Sequence, residues 1–174
     1  MESKHAVALV GFCLSMPVWA AEYEVEVRVT VERGCQLIGS TRNAGIESLG
    51  VLDFGRISRL DSGSGPLNAA LLNQRVPRLE CNPDTTYQLQ IDGGQHGGTG
   101  DVRYLANGPR ALPIPYRIYR DAARLVPLPV NVPVAGTVPS SGSVALPLYA
   151  RIEPLKQVFA AGHYSDVLKV TLTW

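Results

Sequence analysis

The residues of this chain with side chains suited to chemistry are few. Past position 20 there are two histidines, His96 and His163, and two cysteines, Cys35 and Cys81. His96 lies in the glycine-rich run 92–101, and His163 stands between Gly162 and Tyr164. Nucleophilic catalysis needs a nucleophile within hydrogen-bond reach of a base that a third group orients. No spacing in the chain assembles such a set, so the protein is not expected to be an enzyme. Asp92 and Asp101 offer the hard oxygen atoms that calcium takes, but the EF-hand ligand spacing and any repeated glycine–aspartate array are missing. The run reads as a solvated hairpin tip whose glycines supply positive φ. Tyr104, Tyr116 and Tyr119 are able to stack on a sugar ring, yet tyrosines on strands more commonly serve core and cross-strand packing. No metal and no cofactor is expected.

The cysteines point to oxidative chemistry, because the chain carries an address. Lys4 and His5 precede an apolar run over 6–18, and Trp19-Ala20-Ala21 closes it. Those are the three regions of a secretory signal peptide, 1–20, with cleavage expected after Ala20. The run is too short for a convincing membrane span and no later one is longer, so the mature chain is read as exported and without a span. Cys13 falls inside the leader, and Phe12 before it is too large for a lipoprotein cleavage site. Cys35 and Cys81 remain, in a compartment where disulfides persist, and are expected to bond to each other. In the chain-entropy picture that bond contributes roughly 4 kcal/mol. A net charge of +1 with scattered Arg and Lys is no footprint for nucleic acid or an anionic membrane.

The element that organises the chain lies just before Cys35. In residues 22–33, EYEVEVRVTVER, Tyr23, Val25, Val27, Val29 and Val31 recur at a spacing of two, with Glu24, Glu26, Arg28 and Thr30 between them. Successive side chains of a strand point to opposite faces, so this is an apolar row backed by a charged one. β-Branched valines argue against a helix. The pattern does not say whose core the row enters.

From Gly34 onward short apolar segments alternate with Gly, Pro, Ser and Asn. Strands are expected over 50–55, 85–91, 102–106, 114–120, 143–152 and 165–174. Residues 67–72 read mostly as loop. Pro77 points to an edge or a bulge for 75–81, and the prolines of 125–138 to extended edge segments. In the last strand Leu168, Val170, Leu172 and Trp174 share one face. Many short strands, turn residues and one disulfide describe an all-β antiparallel sandwich of immunoglobulin-like size, without the tryptophan that antibody-type domains place between their cysteines.

Several of these stretches together resemble the spore coat protein U domain family, whose members include subunits of archaic, Csu-type chaperone-usher pili. They are the valine strand running into Gly34-Cys35, Leu52-Asp53-Phe54-Gly55, Leu79-Glu80-Cys81, Tyr116-Arg-Ile-Tyr119-Arg120-Asp121-Ala-Ala-Arg124 and the closing segment 161–174. The likeness spans essentially the whole mature chain and departs from the family in the proline-rich 125–139 region and the middle loop. It implies an incomplete immunoglobulin-like sandwich over 34–174 and an N-terminal donor-strand extension over 21–33. Tyr23, Val25, Val27, Val29 and Val31 would be the donor residues. Leu168, Val170, Leu172 and Trp174 would line the acceptor groove and meet the chaperone. The implied partners are a periplasmic chaperone, an outer-membrane usher and neighbouring subunits, on a route through the periplasm to the cell surface. The implied role is a shaft or adaptor subunit in adhesion and biofilm formation. The alternative is a stand-alone secreted coat, matrix or ligand-binding sandwich.

Overall fold

The computed structural model describes residues 23–43, 46–61, 63, 65–72 and 76–174, so the signal read over 1–20 lies outside the described residues. The chain divides into two units, 1–31 and 32–174. In the first, residues 23–31 join no sheet, and Tyr23, Val25, Val27, Val29 and Val31 stand 75–89% exposed. The valine row is an arm whose apolar face lies in water. Its charged row is internally paired at one point, where the Arg28 guanidinium grips the Glu26 carboxylate with bonds of 2.6 and 2.7 Å.

The second unit is antiparallel β-structure, with no helix among the described residues. In chain order the strands begin with β1 (Cys35–Ile38), β2 (Thr41–Asn43), β3 (Ile46–Ser48), β4 (Val51–Leu52), β5 (Leu67–Leu72), β6 (Arg78–Cys81) and β7 (Thr86–Ile91). They continue with β8 (Gly98–Thr99), β9 (Val102–Leu105), β10 (Ile114–Tyr119), β11 (Val134–Thr137), β12 (Ser143–Ala145), β13 (Tyr149–Ile152) and β14 (Val170–Thr173). A six-stranded sheet has the order β4-β5-β13-β10-β9-β8. Two three-stranded sheets, β1-β6-β12 and β11-β7-β14, and the β2-β3 hairpin complete the unit.

The core forms where the alternating faces meet. Strand β10 contributes Ile114, Tyr116 and Ile118, β13 contributes Ala150 and Ile152, and β7 contributes Leu89 and Ile91. Leu60, Leu128 and Leu148 join them from connecting segments. The even residues of β7 stay outside, with Thr86 and Gln88 exposed, as period-2 patterning requires. Cys35 and Cys81 stand opposite each other in the β1–β6 register and are bonded, with Cα atoms 4.1 Å apart.

Several elements differ from expectation, among them 50–55, which is strand only at Val51–Leu52. Residues 67–72 form β5, an inner strand of the large sheet, because β4 and β13 supply ladders on both sides of a weakly patterned Leu-Ala segment. Strand β6 is central rather than an edge: Pro77 precedes it, is buried, and accepts from the Leu146 N–H through its own carbonyl. The stretch 143–152 breaks at Leu146-Pro147-Leu148 into β12 and β13, which belong to different sheets. The final strand is shorter than 165–174, since 165–169 is held by separate bonds instead of a continuous ladder: the Asp166 carboxylate accepts from the Gln95 N–H of the glycine loop, and the Asp92 carboxylate accepts from the Lys169 N–H.

Candidate assembly edge

Among the described residues, strand β14 is the last member of its sheet and has one ladder partner, β7. The direction of its backbone groups follows from the bonds around β7. Asn131 N–H bonds Ile91 O and Val138 N–H bonds Thr85 O, so odd residues of the β7 line turn their groups toward β11. Asp92 N–H bonds Lys169 O, so even residues turn toward β14. In the register Val170↔Ile91 and Leu172↔Leu89, alternation then directs the N–H and C=O groups of Leu168, Val170 and Leu172 away from β7, to the open edge. Their side chains face the core, where all three are only partly covered. One row of residues therefore offers both unpaired main-chain groups and incompletely buried apolar surface, which is the chemistry of strand addition.

The neighbouring core is likewise half-finished. Leu52, Phe54, Leu155, Phe159 and Tyr164 pack against the buried cluster while remaining partly exposed. Phe54 meets Tyr116 edge-on, with ring centroids 6.4 Å apart. Trp174 stands apart from the trio on β14: it lies beyond the strand, is 60% exposed, and lines a shallow hollow with Thr86, Tyr87, Gln88, Ala135 and Thr173.

A polar clasp fixes the segment leading into β14. Asp166 is its centre: one carboxylate oxygen accepts from the Tyr116 hydroxyl at 2.8 Å, and the other accepts from Gln95 N–H at 2.8 Å and Val167 N–H at 2.9 Å. Asp92 Oδ1 accepts from Gly94 N–H and Lys169 N–H, both at 3.0 Å. Ser165 exchanges backbone bonds with Ala106, and its carbonyl also lies 3.0 Å from His96 Nε2. Gly94 has φ +78°, and a methyl group there would overlap the Asp166 carboxylate, so the loop needs glycine at this point. Burial, with the Asp166 hydrogen bond second, pushes the Tyr116 phenol far above its ordinary pKa. The phenol therefore keeps its proton, and its donor role, throughout the neutral range.

Behind the clasp lies Arg103, wholly buried, with its guanidinium on the carbonyls of Asp92 at 2.8 Å, Leu128 at 3.0 Å and Ile91 at 3.1 Å. Burial lowers its pKa, and the nearby Tyr116, Asp92, Asp166 and Asp101 oppose that shift. Arg103 joins the end of β7 to the proline-spaced segment. Sequence reasoning does not single it out, although the alternation of Val102–Leu105 puts it on the same side as Leu105. Asp166, Asp92 and Gly94 equally escape it as a set, since they come together only through the fold. The Asp121 turn shows why the segment 119–124 has its composition. The Asp121 carboxylate accepts from Leu125 and Val126 N–H, which hold its pKa below the ordinary value, and Arg124 takes positive φ.

At the other end, Gly34 N–H donates to Asn82 Oδ1 at 2.9 Å, and Gly34 O accepts from Asn82 N–H. This bond and the adjacent disulfide fix the start of β1. Among the described residues no three His, Cys, Asp or Glu side chains gather to hold a metal ion, and no helix is long and apolar enough to cross a membrane.

A family model for the Spore Coat Protein U domain matches residues 21–171. No curated protein matches the chain in sequence. Among solved structures, one of a chaperone-usher pilus is similar at 18% identity and a TM-score of 0.50, covering 92% of this chain and 99% of that one. The P pilus rod subunit PapA gives 19% identity and a TM-score of 0.45 over 80% of this chain and 97% of that one. The CsuC–CsuE chaperone–tip subunit complex of Acinetobacter baumannii gives 15% identity and 0.46 over 83% of this chain, which spans 40% of the matched chain. At these identities the first of the three carries the fold, an immunoglobulin-like antiparallel sandwich.

Proposed function

The chain belongs to the Spore Coat Protein U domain family, and from that premise we propose that it is a structural subunit, shaft or adaptor, of an archaic chaperone-usher pilus. Export through the periplasm follows from the leader at 1–20, with an outer-membrane usher joining subunits at the cell surface for adhesion and biofilm formation. In this reading the arm 21–33 is a donor strand, and the edge of β14 receives the arm of the next subunit or a strand of a periplasmic chaperone. The observation that carries the reading is one pairing of opposites. The arm has an exposed apolar row with no sheet to join, and β14 has partly exposed apolar side chains with main-chain groups directed outward.

The energetics agree with assembly rather than loose contact. Burying five side chains gains about 10 kcal/mol gross. Ordering about ten arm residues costs a similar amount, so main-chain bonds to Leu168, Val170 and Leu172 decide the balance. Each subunit donates at one end and accepts at the other, so the contact does not close on itself and a filament results.

The test is the size distribution of the mature protein with and without residues 21–33, produced with and without a periplasmic pilus chaperone. Heat-resistant oligomers that require the arm, and a one-to-one chaperone complex, support the reading. A stable monomer that unfolds when the arm is removed would put Val25 to Val31 in the protein's own core and favour a stand-alone coat or matrix protein. Val27→Asp should stop polymer growth while leaving secretion and the disulfide intact.

A further inference from the structure

An edge strand with one ladder partner and half-covered leucines has a simple way to lower its free energy, which is to fold inward and cover the core itself. The edge of β14 stays open although its ladder is only four residues long. What opposes closure is visible just upstream. Tyr116 lies in the centre of the core at 4% exposure, with its ring on Phe54 and its hydroxyl on Asp166. Asp166 is gripped from the other side by Gln95 N–H, and Lys169 N–H is gripped by Asp92. The foot of β14 is thus tied to the core through a phenol and to the glycine loop through two carboxylates. Sliding or folding inward by β14 would break several of these bonds together, and the part-buried bond from the Tyr116 hydroxyl would carry a desolvation penalty if it lost its partner.

We infer that Asp166, held by Tyr116 and the glycine loop, is a positioning residue that keeps the β14 edge open and in register for an incoming strand. The inference rests on the strand-addition reading above and adds to it a device that sets how ready the acceptor is. It also accounts for the glycine-rich run 92–101, whose main chain supplies a donor to Asp166 and whose Gly94 leaves the room that this carboxylate occupies.

The test uses the full mature chain and two readouts, the rate of polymer growth followed by light scattering, and hydrogen exchange at the amides of Lys169, Thr171 and Thr173. Tyr116→Phe removes one hydroxyl and no packing, and Asp166→Asn keeps the shape and removes the charge. Ile118→Val, on the same strand and wholly buried, serves as a control that lowers melting temperature without touching the clasp. Both clasp variants should speed exchange at those amides and slow growth, each by about tenfold, the equivalent of one hydrogen bond to a charged group. The control should change neither by that much at an equal loss of melting temperature. Clasp variants that grow like the control would overturn the inference while leaving the assembly reading standing. A wild-type chain that does not grow through its arm would remove the assembly reading, and the inference with it.

Discussion

Residues 85–91 and 23–31 carry nearly the same pattern and meet opposite fates. In the first, Leu89 and Ile91 are 8% and 1% exposed between two ladder partners; in the second, Val27 and Val29 are 89% and 87% exposed with no sheet to join. Alternation specifies that a segment has an apolar face. It does not specify which molecule supplies the surface against that face. Strand β14 stands between the two cases, with a ladder on one side only and core residues only partly covered. Its outward main-chain groups and the arm's unfilled apolar row are complementary defects, and the assembly reading is the statement that they repair one another.

Substitutions along the three segments grade that comparison. Ile91→Ala should cost the isolated subunit about 3 kcal/mol in urea unfolding, because it empties a fully packed site. An effect below about 1 kcal/mol would mean that β7 is not the centre of the core. Leu172→Ala should cost about 1 to 2 kcal/mol in the free subunit, since part of that side chain is already in water, and more once a neighbour's arm covers it. Equal costs in the free and assembled states would remove β14 from the acceptor surface. Val27→Ala should change the free subunit by less than about 0.5 kcal/mol, as exposed positions do. The same variant should weaken the subunit–subunit joint measurably in thermal dissociation of the polymer. A large loss in the free subunit would place the arm in its own fold.

The turn at Asp121 and the clasp at Asp166 illustrate a second difference, in legibility. The Asp121 turn is local: its carboxylate reaches N–H groups four and five residues on, so Arg120-Asp121-Ala-Ala-Arg124 is recognisable as a unit in the chain. The clasp joins residues separated by 50 and 71 positions, and no spacing rule anticipates it. Pro77 misleads for a related reason. A proline weakens the prospects of a central strand only if its missing N–H falls within the ladder, and here it falls one residue before β6.

Local periodicity and simple counting suffice for the class of fold, for the export leader as an expectation, for the partner of each cysteine and for the alternation of β7, β10 and the arm. Each of these is written in neighbouring residues or in the number of a residue type. Whatever depends on distant neighbours had to wait for the folded chain. The weakly patterned segment 67–72 is an inner strand because β4 and β13 flank it, and 143–152 is divided between two sheets at Pro147. The buried Arg103 finds its carbonyls only where β7 meets the proline-spaced segment. The open edge of β14 belongs to the same group: a strand is an edge only by virtue of what is absent beside it, and no run of residues within the strand records that.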